Sequence, residues 1–328
     1  MDNVKVGFIG AGGNASGHME QVNGIEGAKI VAVCDVMKER ADERASEYEA
    51  KAYADYRAML DQVEMDALYV SVPPFAHTEA ELIAAEKGVH LFVEKPVALT
   101  LEKALEINRA IEQAGVLSCV GYQLRYGDTV DRAKQFLQGR TIAMVTCNRW
   151  GGVPPTPWWK VMAKSGGQLV EQTTHNVDMM RCLAGEIVEV YANYALRTLT
   201  DVEGLDVPDV GAISFRFENG AIGSLTTSCA LTQGGGTGDL NILVKDAVLK
   251  WAVESISADP GEYPELEAEV APSPSIDAVF IEAVKTGDGS KIRSPYSDAL
   301  RSLDVTLAAN RSAREGKPVQ TYYAASKG

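Results

Sequence analysis

Disulfides, membrane spans and nucleic-acid binding are all set aside by what this sequence has little of. Its five cysteines stand scattered at Cys34, Cys119, Cys147, Cys182 and Cys229, an odd number with no C-x-x-C pair. That arrangement excludes a disulfide framework or a cysteine-based zinc site and fits small buried apolar residues kept reduced. No stretch approaches the roughly 18 consecutive apolar residues of a membrane helix. The amino terminus has no basic segment leading into an apolar core, so a cytoplasmic protein without a signal peptide is expected. Positive charge is also in deficit: 31 Lys and Arg stand against 45 Asp and Glu, for a formal net charge of −14. Nucleic acids and anionic membrane surfaces demand clustered cations, so neither is an expected partner. Internal repeats and low-complexity segments are missing as well.

What is there begins with a glycine turn. Val4, Val6, Phe8 and Ile9 form a β-prone run that leads into Gly10, Gly12 and Ala15, the spacing G-x-G-x-x-A. The first glycine permits a tight turn, the second lets backbone approach a pyrophosphate, and the small third residue lets helix pack on strand. A helix opening near Asn14 aims its free N–H groups at that anion, which makes the Gly10, Gly12, Gly13, Asn14, Ala15 loop the expected phosphate cradle. A second apolar run ends in Asp35, 25 residues beyond Gly10, where a carboxylate accepts hydrogen bonds from the ribose hydroxyls of NAD. NAD is therefore the expected cofactor.

At 328 residues the chain exceeds the usual size of a single core, and two domains are expected, at 1–122 and 123–328. In the first, strand patterns at 4–9, 29–34, 67–72, 89–93 and 117–120 alternate with helical patterns at 16–22, 38–49, 77–87 and 101–114. That rhythm predicts a parallel, doubly wound sheet. Ligands of such sheets sit at the carboxyl ends of strands, which is where Asp35, Ser71-Val72-Pro73-Pro74 and Glu94-Lys95-Pro96 fall. In the second, β-prone runs at 190–199, 210–218, 221–231, 239–244 and 247–253 follow one another with turns such as Asn219-Gly220 between them, which predicts a large, mostly antiparallel sheet with one open face. The whole is an α/β protein. A last helix at 297–314, with Leu300, Leu303, Leu307 and Ala308 on one face, is expected to pack back against another element. The glycine cluster at 234–238 lies between strands and reads as a loop.

Two stretches carry chemistry. Lys95, at the end of a buried strand, can place an ammonium beside a substrate oxygen on which negative charge develops; the alternative is a surface lysine before a turn proline. In the segment 166–185, Glu171, His175 and Asp178 are spaced i, i+4, i+7, which in one helix puts them on one face. An imidazole titrates near neutrality and can take a hydroxyl proton as hydride leaves the same carbon, with a carboxylate fixing its tautomer. A capping or surface-paired histidine is the competing reading. No second His or Cys falls at ligand spacing, so no metal is expected. Trp158 and Trp159, with Lys160, lie in a proline-rich loop and either stack on a sugar face or serve as core or interface residues.

These motifs together resemble the Gfo/Idh/MocA oxidoreductases. The resemblance is carried by GFIGAGGNASGH, Ser71-Val72-Pro73-Pro74 with His77, EKP at 94–96, GYQLRY at 121–126, GGQLVEQTTHNVD and the terminal DALRSL helix, in an order that spans nearly the whole chain. It implies an amino-terminal Rossmann domain and a carboxy-terminal α/β domain whose open sheet mediates homodimer or homotetramer formation. It also implies NAD(P)-linked oxidation of a sugar, polyol or glycoside. By the same resemblance, Lys95 contacts substrate and the nicotinamide region and His175 is the acid/base. Ser71, Pro73, His77, Glu94 and Gln123 join the cofactor site, and Arg125 joins the substrate pocket. Glu171 stands where the family usually has aspartate, and Thr174 replaces a small glycine. Two other functions stay open at this point: an NAD-dependent glycosidase that works by transient oxidation and elimination, and a non-catalytic NAD-binding sensor.

Overall fold

The computed structural model describes residues 3–77, 79–267 and 273–327. The chain divides into two compact units, Met1–Gln123 with Pro274–Leu300, and Leu124–Ser273 with Arg301–Gly328.

The first unit is built on six strands, β1 (Val4–Ile9), β2 (Ala28–Cys34), β3 (Lys51–Tyr53), β4 (Ala67–Val70), β5 (His90–Val93) and β6 (Ser118–Val120), in the order β3-β2-β1-β4-β5-β6. Every pairing is parallel. Helices α1 (Gly13–Asn23), α2 (Lys38–Glu47), α3 (Tyr56–Gln62), α4 (Ala80–Glu86) and α5 (Leu101–Ala114) supply the crossovers. Because both faces of such a sheet are covered, its central strands read as continuous apolar runs, and Ala67 to Val70 are all buried. The order reverses between β1 and β4, and in sheets of this kind ligands bind beyond the carboxyl ends of the strands at such a switch point.

The second unit starts with α6 (Asp128–Leu137), β7 (Ile142–Trp150), α7 (Met162–Ser165), α8 (Gln168–Glu171) and α9 (Thr174–Ala184). Strands β8 (Ile187–Ala195), β9 (Val210–Phe217), β10 (Ile222–Ser228), β11 (Thr237–Val244), β12 (Ala247–Ala252) and β13 (Ser255–Asp259) follow, then α10 (Pro264–Glu267). With β14 (Val319–Gln320) they make an eight-stranded sheet, β13-β12-β11-β7-β10-β9-β8-β14. Its pairings are antiparallel except β7 with β10. Period-two alternation is visible along the strands. In β9, Ile213, Phe215 and Phe217 face the core while Ala212, Ser214 and Arg216 are exposed. The buried face joins Val130, Phe136, Met180 and Leu183 of α6 and α9 in one apolar cluster.

Two long helices complete the chain, α11 (Ile276–Thr286) and α12 (Tyr296–Glu315), followed by the short α13 (Tyr322–Ala325). The structure departs here from the expected undivided 123–328 segment. Residues Pro274–Leu300 group with the first unit, because α11 packs on α1 and β1, and Phe280 sets its ring edge-on to Tyr69 and Phe92, each at 5.7 Å. The boundary between the units falls inside α12. Among the described residues, no helix is long and apolar enough to cross a membrane.

Candidate active site

The glycine turn is shaped for an anion. Gly10 adopts φ +98°, and a Cβ there would lie 2.0 Å from the Ser71 carbonyl oxygen, so no side chain fits. A Cβ at Gly12 or Gly13 would meet nothing within 4 Å, which leaves the outer side of the turn clear. Gly12 caps α1 without a side-chain hydrogen bond, and the first-turn N–H groups of a helix have no partner within it. Ala15 is fully buried, as close helix–strand packing requires. A pyrophosphate fits this cradle on backbone N–H groups and helix dipole alone.

Asp35 follows β2 directly and ties two loops together. Its Oδ2 accepts from the Ala11 N–H at 2.9 Å and its Oδ1 from the Met37 N–H at 2.8 Å. Each carboxylate oxygen has a second lone pair, so the group still has acceptor capacity for ribose hydroxyls. Asp35 and the Gly10–Ala15 turn, 25 residues apart, are thus brought together. Ser71 and Pro73 continue from β4 and are half-buried, whereas Gln123 is exposed. His77 is placed otherwise: its side chain is fully buried, with Nδ1 at 2.6 Å from Glu81 Oε1. The ring is therefore enclosed by protein and tied to the first turn of α4 through Glu81.

Glu94 and Lys95 diverge. Lys95 is half-buried and precedes a cis peptide bond to Pro96. Glu94 is buried, with Oε1 2.9 Å from His18 Nε2 and Oε2 accepting from the Lys95 N–H at 3.1 Å. Its carboxylate faces inward, toward α1.

In the second unit the expected single helix carrying Glu171, His175 and Asp178 on one face is not formed. Gly166, at φ +75°, ends α7 and Gly167, at φ +92°, starts the short α8, and the helix is interrupted at Gln172-Thr173 before α9 begins. The buried Thr173 hydroxyl pairs with Thr227 of β10 at 2.7 Å, a tertiary contact that a helical pattern does not encode. His175 therefore lies in the first turn of α9, half-buried. Asn176, beside it, donates to Cys147 of β7 at 3.4 Å and pins the helix to the sheet.

Asp178 is 1% exposed and is held by Arg125, whose Nε and Nη2 donate to its two oxygens at 2.7 and 2.6 Å. Ser302 Oγ adds a third bond at 2.7 Å and itself accepts from Arg181 at 2.7 Å. Arg125 is thus interior and committed to a bidentate pair, a different partner from the substrate expected for it. Trp159 also departs from expectation. At 1% exposure it anchors a satellite core with Leu199, Leu205, Val207 and Cys229, so it cannot stack on a sugar. Its indole N–H instead donates to Glu171 Oε2 at 2.7 Å. Trp158 and Lys160 remain half-buried in the same loop. His18, to which the sequence pattern assigns no role, lies against Glu94; its sequence signal is the imidazole that closes the GFIGAGGNASGH motif in the phosphate-binding helix.

Comparison with known proteins agrees with this geometry. Residues 4–122 match the model of the Gfo/Idh/MocA oxidoreductase family with its NAD-binding Rossmann fold, and residues 138–245 match a Gfo/Idh/MocA C-terminal domain. A scyllo-inositol 2-dehydrogenase (NAD(+)) of Bacillus subtilis is 27% identical, covering 97% of this chain and 96% of its own. A 2,7-anhydro-N-acetylneuraminate hydratase of Mediterraneibacter gnavus is 32% identical, over 50% of this chain and 45% of its own. The WlbA dehydrogenase of Bordetella pertussis, solved with NADH and UDP-GlcNAcA, superposes with a TM-score of 0.85 at 26% identity, covering 97% of this chain and 98% of that one. The chain belongs to the Gfo/Idh/MocA family of NAD-binding oxidoreductases.

Proposed function

We propose that the chain transfers hydride between the nicotinamide of NAD and a secondary hydroxyl of a sugar, cyclitol or glycoside. The observation that carries this reading is the end-to-end similarity to an inositol dehydrogenase, which takes in the segments bearing both Lys95 and His175. Bound NAD supplies the hydride acceptor. The Gly10–Ala15 turn and the α1 N-terminus hold its pyrophosphate, Asp35 its ribose hydroxyls, and Ser71, Pro73 and Gln123 border it. The Lys95 ammonium stabilises the substrate oxygen as it gains alkoxide character. The His175 imidazole takes the hydroxyl proton, since an alcohol cannot become a ketone while keeping it. Glu171, held by Trp159, orients that imidazole, and Trp158 and Lys160 border the substrate. We leave Arg125 and Trp159 out of the substrate-contacting set and Glu94 and His77 out of the cofactor-contacting set, because each is buried against protein partners.

A screen of inositols, sugars and glycosides that follows the absorbance of reduced nicotinamide tests the reading. Lys95→Ala and His175→Ala should each lower kcat by at least ~10²-fold while NAD affinity stays nearly intact. Near-wild-type turnover in His175→Ala would remove the acid/base assignment. The similarity to a hydratase favours a second reading, in which transient oxidation acidifies the neighbouring C–H and permits elimination. Product release without accumulation of NADH is its signature.

We also propose a homo-oligomer built on the open face of the eight-stranded sheet. Met144, Trp150, Tyr191, Ile222 and Leu243 are exposed there. They accompany a polar ladder in which Trp150 Nε1 donates to Thr226, Thr226 to Asn148, and Asn148 to Asp239. An apolar face of this extent is ordinarily covered by a second copy. Sedimentation showing a monomer at micromolar concentration would contradict it. The five free cysteines suit a reducing, cytoplasmic setting.

A further inference from the structure

His18 stands in α1, the helix whose N-terminus forms the phosphate cradle, and its ring lies between two carboxylates. Nδ1 is 2.8 Å from Asp277 Oδ1 of α11, and Nε2 is 2.9 Å from Glu94 Oε1 at the end of β5. All three side chains are nearly enclosed, at 13%, 4% and 8% exposure. A neutral imidazole has one N–H and one lone pair, so it satisfies one carboxylate and presents its lone pair to the other. Only the imidazolium donates to both. The surroundings favour that cation, with the ring of Phe92 at 4.7 Å and that of Tyr69 at 5.7 Å from the imidazole. Burial by itself lowers the His18 pKa, but the hydrogen bonds and charges of Asp277 and Glu94 outweigh it and push the group up to about 10. The titratable groups facing the ring are these two carboxylates and the Tyr69 phenol, whose own pKa burial and Asp277 push upward.

Glu94 sits in a slot. His18 holds one oxygen, the Lys95 N–H donates to the other, and a Cβ on Gly121 would lie 2.5 Å from Oε1. We propose that His18 is a positioning residue, an imidazolium that locks the Glu94 carboxylate and through it the Lys95 backbone, coupling the phosphate-binding helix to the lysine that meets the reacting oxygen. The coupling rests on the reading of Lys95 given above. It requires no contact between His18 and cofactor or substrate. The same ion triad adds a polar tie between α11 and α1 to the apolar packing that groups the segment Pro274–Leu300 with this unit.

The test uses the full-length protein with NAD and needs no substrate. In protein labelled with ¹⁵N-histidine, both His18 ring nitrogens should carry protons throughout pH 6 to 9; a ring with one bare nitrogen at neutral pH overturns the proposal. In His18→Gln, loss of the charged bond to Glu94 should lower the hydrogen-exchange protection of the Lys95 amide by about tenfold. Amides of β1 should stay within about threefold, because a local opening leaves the global stability of the unit in place. Gly121→Ala keeps His18 but displaces Glu94, and it should loosen the same amide. Equal loss of protection across the whole first unit in both variants, or unchanged protection at Lys95, refutes the positioning role. Turnover of Lys95→Ala is read separately. Its failure to fall would withdraw the role of Lys95 in the reaction and leave the exchange result to judge the triad alone.

Discussion

Replacing Arg125 by methionine separates the two roles open to this residue, structural and substrate-binding. Methionine keeps most of the aliphatic stem and removes the guanidinium, which leaves Asp178, 1% exposed, without its bidentate partner. Breaking a buried ion pair from one side costs roughly 3–5 kcal/mol, since the remaining charge is stranded. Here the Ser302 hydroxyl at 2.7 Å and Arg181 at 3.8 Å still face the carboxylate, so the lower end, about 3 kcal/mol, is expected. For a unit of this size that is a fall in Tm of roughly 6–12 °C. The assay has a built-in selectivity, because all four tryptophans, Trp150, Trp158, Trp159 and Trp251, lie in the second unit. Indole fluorescence during urea unfolding therefore reports the unit that contains Arg125 and ignores the other. Arg125→Met combined with Asp178→Asn should cost clearly less than the sum of the two single changes, because the double variant strands no charge. Stability within about 0.5 kcal/mol of wild type, together with a raised substrate KM, would show that the guanidinium reaches substrate, and the reasoning from burial would be wrong.

Gly10→Ala should abolish NAD binding in calorimetry, since its Cβ meets the Ser71 carbonyl oxygen at 2.0 Å and its φ is +98°. Asp35→Ala should narrow the preference of kcat/KM for NAD over NADP; equal use of the two cofactors by the wild type would remove the basis for that. Cys34 and Cys147 are pushed up to about 12 and Cys229 to about 11, burial being the main cause. Iodoacetamide at pH 8 should therefore leave these three unmodified in the native protein and label them in denaturant, as mass spectrometry would show. His18 is raised on folding from 6.5 to about 10, so its contribution is fully present below pH 6.5 and is lost as pH climbs through 10. Protection of the Lys95 amide, relative to that of the β1 amides, should decline across that window in wild type, and the decline should flatten in His18→Gln.

The amino-acid pattern alone determined the elements whose faces are set by local chemistry. The run into Gly10 gave β1 and α1 because only glycine tolerates the positive φ and the approach of Ser71. The alternation of β9 gave one buried face and one open one. Alternating strands and helices gave the parallel sheet, whereas its order, reversed between β1 and β4, came from the tertiary structure. Strand β3, three residues long, and β14, two, carry too little pattern to stand out. Strands β7 and β10 lie side by side and parallel although many residues separate them, and periodicity says nothing about which strand pairs with which. The site shows the same division. Residue type announced that Lys95, His175 and Asp35 have useful chemistry, whereas partner choice decided what their neighbours do. Arg125 was given to Asp178 and Glu94 to His18 by side chains brought together from distant parts of the chain, and Trp159 to Glu171 by the fold of the intervening loop. A polar side chain's sequence context states how many bonds it can make. Only the packed fold, by burying it, states which ones it must make.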